Sequence, residues 1–242
     1  MQETDGEIGK VEEFYFDDQS WTIRYLIVKT GGWLFGREVL ISPQALQMAD
    51  WKNKTFPVNL SKEQIRNSPD IDTDKPVSRQ MEEQLYEHYP WQHYWNSGFY
   101  EAGVWGVLQG SPTLEERESS EVQTEHPRTG DLHLRSTDRV TGYHIHATDG
   151  EIGEVTDYII DDTNWKIIFF VVKTGSWIKP GKILLSTKWI KEIQWADNLV
   201  IVNISIDAVK NSPVFDAEQL ISNEYEQKLF DHYGKPVDEY IY

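Results

Sequence analysis

Acidic side chains occur in two short motifs, and each motif appears twice in the chain. An Asp-Gly-Glu motif starts at Asp5 and again at Asp149, and an Asp-Asp pair starts at Asp17 and again at Asp161. Clustered carboxylates could perform general acid–base chemistry or hold a divalent cation, although EF-hand spacing is not present. Asp-Gly is also a strong turn signal, because glycine tolerates positive φ and aspartate bonds nearby N–H groups. We therefore expect turns here, with a cation site as the alternative.

The residues of these repeated motifs are predicted to have structural roles. They are Asp5, Gly6, Gly9, Asp17, Asp18 and Trp21 in the first half, and Asp149, Gly150, Gly153, Asp161, Asp162 and Trp165 in the second. Gly9 and Gly153 are expected where two backbones approach closely or where a strand bulges. The tryptophans recur in both halves, which favours packing in the core or at a sheet edge.

Two histidines lie in a His-x-His pattern that predicts a strand with both rings on one side. His144 and His146 could be two zinc ligands, with His126 or His133 as a third. No partner with defined spacing follows them, so we expect an exposed strand face and no metal site.

A second pair of histidines, His88 and His232, recurs just before a tyrosine in both halves. Their position at a predicted helix end favours a cationic ring near the last carbonyl groups, with a ligand or proton-transfer role as the alternative. No nucleophile elbow, P-loop, dinucleotide fingerprint or zinc-protease motif is present. The sequence therefore predicts no catalytic residues and no cofactor.

Composition excludes several classes of protein. The 242 residues carry 23 basic and 40 acidic side chains, a formal charge of −17, and no cysteine. Disulfides and thiolate metal sites are therefore excluded. No stretch approaches the roughly 18 apolar residues of a membrane span, and residues 1–10 lack a signal-peptide pattern. We expect a cytoplasmic protein that does not bind nucleic acid directly and that favours a basic partner.

The chain contains an internal sequence repeat of two copies, with an offset of 144 residues. From Asp5 to Tyr89 the second copy aligns without a gap, with 30 identities in 85 pairs. The intervening stretch is acidic and rich in Gly, Ser, Thr and Glu, which is typical of a flexible linker. The predicted domains are 1–100, with its trailing helix and aromatic segment, and 132–242, with its trailing helix, separated by a linker at 101–131.

Each repeat reads mainly as short strands. Strands are predicted in the first repeat at 11–16, 21–30, 39–41 and 55–60, and the nearly all-apolar run 165–174 is expected to be buried on both faces. Ser61 and Gln64 form a capping-box pattern, and 78–89 has the apolar spacing of a helix. The fold class is therefore mainly β, with two small barrels, each followed by one or two short helices.

One aromatic segment lacks a full counterpart in the second repeat and has neither helical nor strand periodicity. It carries Trp91, Tyr94, Trp95, Phe99 and Tyr100. Exposed aromatic patches mark contacts, so this segment is expected to pack between the two barrels or to bind an outside partner.

The repeated pattern Asp-Gly-Glu-Ile-Gly-x-Val, then Asp-Asp, Trp and Val-Lys-Thr-Gly, resembles the PRC-barrel family. That family is named after the cytoplasmic barrel of the photosynthetic reaction centre H subunit, and a similar barrel occurs in a ribosome-maturation factor. The resemblance implies tandem PRC-type barrels in a non-enzymatic adaptor or assembly protein. The implied partner is a photosynthetic or electron-transfer membrane complex, bound peripherally, or a ribosomal protein. The alternative is a metal- or small-ligand-binding protein or enzyme using the carboxylates with His88 or His232.

The second repeat has a lead-in, Leu134 to His146, that contributes the opening strand in this family. The matching segment of the first repeat would lie before Met1. A start site placed too late, a shortened chain or another segment filling the edge would each account for this. We expect the first barrel to be open at that edge, which would then be a pairing site, including for a second copy of the chain.

Overall fold

The residues that the structure describes belong to two units. The computed structural model describes residues 2–3, 6–50, 52–69, 79–89, 91, 133–175, 181–217 and 221–235. Unit 1 contains Met1–Glu12 and Ile27–Leu134, and unit 2 contains Glu13–Leu26 and Arg135–Tyr242. Residues Glu13–Leu26 are thus an early part of the chain that belongs to the second unit.

Strands make up most of the regular structure. In chain order they are β1 (Gln2–Glu3), β2 (Gly6–Glu7), β3 (Gly9–Asp17), β4 (Ile23–Thr30), β5 (Glu38–Ile41), β6 (Leu134–Ser136), β7 (His144–Ala147), β8 (Gly150–Asp161), β9 (Lys166–Thr174), β10 (Lys182–Ser186), β11 (Ile190–Gln194) and β12 (Leu199–Val202). The helices are α1 (Lys62–Arg66), α2 (Arg79–His88), α3 (Thr137–Val140), α4 (Ile206–Lys210) and α5 (Asn223–His232). The prediction of a mainly β fold is confirmed.

The strands form open sheets. The described residues contain a small β1–β2 hairpin, a four-stranded sheet in the order β5-β4-β3-β6, and a six-stranded sheet in the order β10-β9-β8-β7-β12-β11. β12 and β7 are parallel, whereas the pairs β11–β12, β7–β8, β8–β9 and β9–β10 are antiparallel. Two distinct closed barrels are therefore not confirmed, because no sheet among the described residues closes on itself.

Local sequence signals place most elements correctly. β9 is buried on both faces as predicted, since Phe169, Phe170 and Val171 are each at most 2% exposed. Ser61 caps α1 by accepting from the Gln64 N–H, and the Gln64 side chain bonds back to the Ser61 N–H, so the capping box is confirmed. The predicted strand at 55–60 differs, because the structure gives it only isolated bridges, at Thr55, Pro57 and Val58.

The lead-in segment of the second repeat is divided between two sheets. Leu134–Ser136 forms β6 and adds to the edge of β3, whereas His144–Ala147 forms β7 beside β8. The family resemblance implies that the whole lead-in opens the second barrel. Its first part instead adds to β3, within the first repeat.

Candidate functional site

The repeated acidic motifs build turns. Asp17 accepts hydrogen bonds from the backbone N–H groups of Gln19 (3.0 Å) and Ser20 (2.8 Å) and pairs with Arg24 at 3.3 Å. Burial of the Asp17 carboxyl opposes ionisation, but the Ser20 N–H and hydroxyl, Arg24 and the Gln19 N–H together hold its pKa below the ordinary value. Asp161 repeats the pattern by accepting from the Thr163 N–H at 2.8 Å. These carboxylates are occupied as turn acceptors.

The Asp-Gly-Glu motif and its following glycine also shape the backbone. Gly6 and Gly150 have φ values of 117° and 147°, and Asp149 accepts from the Ile206 N–H at 2.8 Å. A Cβ on Gly9 or Gly153 would lie 2.0 or 2.1 Å from a carbonyl oxygen of the neighbouring strand, so a side chain does not fit there. Their expected role in close backbone approach agrees with this geometry, and Asp5 lies outside the described residues.

Trp21 and Trp165 hold the two long hairpins against each other within unit 2. Both have left-handed backbones, with φ of 60° and 57°. The Ile23 N–H donates to the Trp165 carbonyl at 2.7 Å, and the Ile167 N–H donates to the Trp21 carbonyl at 2.8 Å. The Trp21 ring stacks on Phe16 at 5.8 Å. The repeated tryptophans therefore mark the place where the hairpin ends pair.

The segment Leu134–Thr137 is recognised by side chains of the first hairpin. Arg135 pairs with Asp18 at 3.0 Å, and its guanidinium lies 4.2 Å from the Trp195 ring centroid. The Ser136 hydroxyl donates to the Glu13 carboxylate. The Phe14 N–H donates to Thr137 Oγ1 at 3.1 Å. Sequence reasoning gave Asp18 only a turn role and assigned no role to Arg135, because these contacts join residues more than 110 positions apart.

A groove in unit 1 lies between the strand that follows Gly9 and the turn before Thr55. Its volume is about 520 Å³, and its lining residues are Glu7, Gly9, Lys10, Val11, Asn53, Lys54, Thr55 and Phe56. β1 pairs with β2 through Gln2–Glu7 and Glu3–Gly6, so the groove begins where this short pairing stops. The open edge expected in the first repeat stays a prediction.

In unit 2 the corresponding place is occupied by β7 and the residues just before it. His144 pairs with Glu154 on β8 and with Leu199 on β12. The Val155 N–H donates to the Tyr143 carbonyl at 2.9 Å, and the His144 N–H donates to the Asn198 carbonyl at 3.0 Å. Subtracting 144 from Glu154, Val155, Asn198 and Leu199 gives Lys10, Val11, Lys54 and Thr55, which all line the groove.

The histidines make protein contacts. His144 Nδ1 lies 3.0 Å from Glu151 Oε1 on the exposed side of β7. The Nε2 of His88 donates to the Gln64 carbonyl at 2.8 Å, and the Nε2 of His232 donates to the Ala208 carbonyl at 2.7 Å. Each ring thus donates to a carbonyl of the preceding short helix, α1 or α4. The interaction with helix carbonyls therefore joins two helices, whereas the sequence predicts it at the last carbonyls near the end of a helix. In the described part of the chain, no three His, Asp or Glu side chains are grouped as metal ligands would be.

Only one residue of the predicted aromatic contact segment is described. Trp91 is 9% exposed and stacks on Tyr89 at 4.2 Å, with an edge contact to Tyr86 at 5.8 Å. Tyr94, Trp95, Phe99 and Tyr100 lie outside the described residues, as does the predicted linker at 101–131. A partner-binding role for this segment stays a prediction.

Comparison with known proteins identifies one domain. No curated protein matches the chain. None of the helices in the described ranges is long and apolar enough to cross a membrane. The family model for the PRC-barrel domain matches residues 1–65, which contain the groove and both acidic motifs of the first repeat. Residues 1–65 are therefore a PRC-barrel domain.

Proposed function

We propose that this chain is a non-enzymatic adaptor that binds an extended segment of a protein partner in the unit 1 groove. The PRC-barrel domain suggests an adaptor-type role in general. The observation that carries the proposal is the groove beside Gly9, whose counterpart in unit 2 is filled by a strand. We also propose that residues 132–242 are a second PRC-type domain, since the turns, close-packed glycines and histidine contacts recur at the 144-residue offset.

The groove offers main-chain hydrogen bonds to an incoming segment. By analogy with unit 2, Val11 would exchange hydrogen bonds with the segment, as Val155 does with Gly142 and Tyr143. Strand addition of this kind supplies affinity through the backbone, and side-chain pockets supply specificity. Tyr143 is 8% exposed, so a partner segment with a large apolar side chain at that position fits the groove best.

The class of partner is inferred from the family resemblance and from charge. A photosynthetic or electron-transfer membrane complex would be bound peripherally, and a ribosomal protein would be bound in the cytoplasm. A net charge of −17 attracts a partner whose surface around the inserted segment is basic. Affinity capture from soluble and membrane fractions distinguishes these two classes.

A groove-blocking variant tests the site. Val11→Pro removes an N–H that would face the inserted strand, as the Val155 N–H faces Tyr143, and proline is tolerated at an unpaired strand edge. We expect Val11→Pro to keep the fold and lose the partner. Capture that is undiminished in Val11→Pro would overturn binding at this groove.

A further inference from the structure

We propose that the edge of β8 from Asp157 to Asp162 is a second strand-binding site, which takes an extended segment of another polypeptide with the pattern apolar–Arg–Ser–Thr. This proposal rests on the proposed adaptor function and deepens it by naming the chemistry of a partner segment. The site lies entirely within unit 2 and is separate from the unit 1 groove.

The template for this recognition is present in the same unit, in Arg135–Thr137. Leu134–Thr137 lies on the β3 edge, where three groups hold it. The Glu13 carboxylate accepts from the Ser136 hydroxyl, the Phe14 N–H donates to Thr137, and Asp18 pairs with Arg135. The Asp18 side chain is only 10% exposed in this pair, so its charge is largely shielded from water.

The same three recognition groups recur 144 residues later. Glu13, Phe14 and Asp18 correspond to Asp157, Tyr158 and Asp162. The Tyr158 N–H, which corresponds to the Phe14 donor, is bonded to its own neighbour Asp157 at 2.9 Å. Asp162 is exposed, and the described residues provide it with no ion-pair partner. In the described part of the chain, Asp157 and Tyr158 therefore bond each other, and an incoming segment would replace this contact with the bonds that Glu13 and Phe14 make on β3.

Burial also differs between the two edges. Tyr15 and Phe16, beside the covered β3 edge, are 5% and 0% exposed. Their counterparts Ile159 and Ile160 on β8 are only partly buried. A strand laid along β8 would remove this apolar surface from water, which is favourable in proportion to the area covered.

Charge and the template on β3 indicate the chemistry of the occupant. Asp157, Asp161 and Asp162 make this edge acidic, so it favours an arginine, as Asp18 does. The chain's own Leu134–Thr137 segment is already bound to β3. The occupant proposed for the β8 edge is a partner's polypeptide segment of the same apolar–Arg–Ser–Thr chemistry.

A synthetic peptide with the sequence of residues 132–141, LHLRSTDRVT, tests the proposal against the full chain by titration calorimetry. We expect one peptide per chain, about tenfold weaker binding to Asp162→Ala, and a similar loss when the peptide arginine corresponding to Arg135 is replaced by alanine. The matched control is Asp18→Ala, which alters only the β3 edge and should leave peptide affinity unchanged. Amide exchange at Tyr158 should slow when the peptide binds.

Three results would overturn the proposal: no binding, equal binding to wild type and Asp162→Ala, or a loss confined to Asp18→Ala. The last result would mean that the peptide displaces the chain's own segment from β3. Peptide titration of Val11→Pro separates the two sites. If Val11→Pro keeps its affinity for the peptide but loses the partner, the adaptor function lies in the groove and the β8 site does not depend on it. Lost peptide affinity in Val11→Pro would contradict the independence of the β8 site.

Discussion

Thr22 and Lys166 face each other across a single antiparallel bridge, although they are 144 residues apart and occupy the same position in the two repeats. Two hydrogen bonds flank this bridge, and each joins an isoleucine N–H to a tryptophan carbonyl. Exchanging each residue for its counterpart 144 positions away converts the Ile23–Trp165 bond into the Ile167–Trp21 bond. The two hairpin ends are thus related by a local two-fold axis within unit 2. An early hairpin and a late hairpin of the chain therefore form one folded unit.

Replacement of Gly9 by alanine should destabilise the protein strongly. The added methyl group would lie 2.0 Å from the Lys29 carbonyl oxygen, so the paired strands must separate. Overpacking typically costs about 1–3 kcal/mol, and a backbone clash this close should reach the upper end. Urea unfolding of Gly9→Ala and Gly153→Ala measures the effect. Gly32→Ala, which meets nothing within 4 Å, is the control, and equal stability of all three variants would contradict the close-approach role.

Replacement of Arg135 by alanine should cost about 1.5–3 kcal/mol of unfolding free energy. The variant loses a partly buried pair with Asp18 and the contact with the Trp195 ring. The matched control is Lys173→Ala, which breaks an exposed pair with Glu154 and should cost no more than about 1 kcal/mol. If the two variants lose the same stability, Leu134–Thr137 is not held by Arg135.

Asp17 should make the protein less stable in acid. Its pKa lies below the ordinary value of 3.8, so its stabilising effect is fully present above that value and is lost as pH falls through the lower, folded-state pKa. Asp17→Asn should therefore be less stable than wild type at pH 7, and this difference should shrink by pH 2.5. Urea unfolding at the two pH values measures it. Asp162→Asn is the exposed control, and a constant difference for Asp17→Asn would show that ionisation of Asp17 is not involved.

Protein purified without a histidine tag should contain much less than one metal ion per chain. The Asp17 and Asp161 carboxylates accept turn hydrogen bonds, and the Nε2 atoms of His88 and His232 donate to helix carbonyls. Mass spectrometric metal analysis of the untagged protein provides the measurement. A stoichiometric metal would contradict the pure adaptor proposal and favour the alternative of a metal-binding protein.

Features that depend on neighbouring residues were predictable from the sequence. The Asp17 turn, the α1 capping box and the buried strand β9 each follow from short-range chemistry or from a run of apolar residues. The predicted strand at 55–60 can form only if another strand pairs with it. Its counterpart in the second repeat is β12, which pairs with β7. In the described residues this stretch has only isolated bridges, at Thr55, Pro57 and Val58, since a strand is stable only when it is paired.

The candidate sites were predictable only in part. The 144-residue offset aligns Lys10 of the groove with Glu154, which pairs with β7. It does not predict that Leu134–Ser136 adds to β3 or that Arg135 finds Asp18, because strand pairing between distant residues leaves no local periodicity. The sequence predicts turns for all the repeated aspartates, and only the structure separates the turn role of Asp17 from the ion pair of Asp18.

Partner capture that depends on the groove tests the adaptor proposal most directly. Tagged wild-type chain and Val11→Pro would be expressed in the native organism, and the soluble and membrane fractions would be analysed separately by mass spectrometry. The proposal predicts a stoichiometric protein partner with wild type and its loss with Val11→Pro at unchanged stability, and the fraction identifies a membrane complex or the ribosome. No partner in either fraction, or equal capture by both proteins, would contradict it.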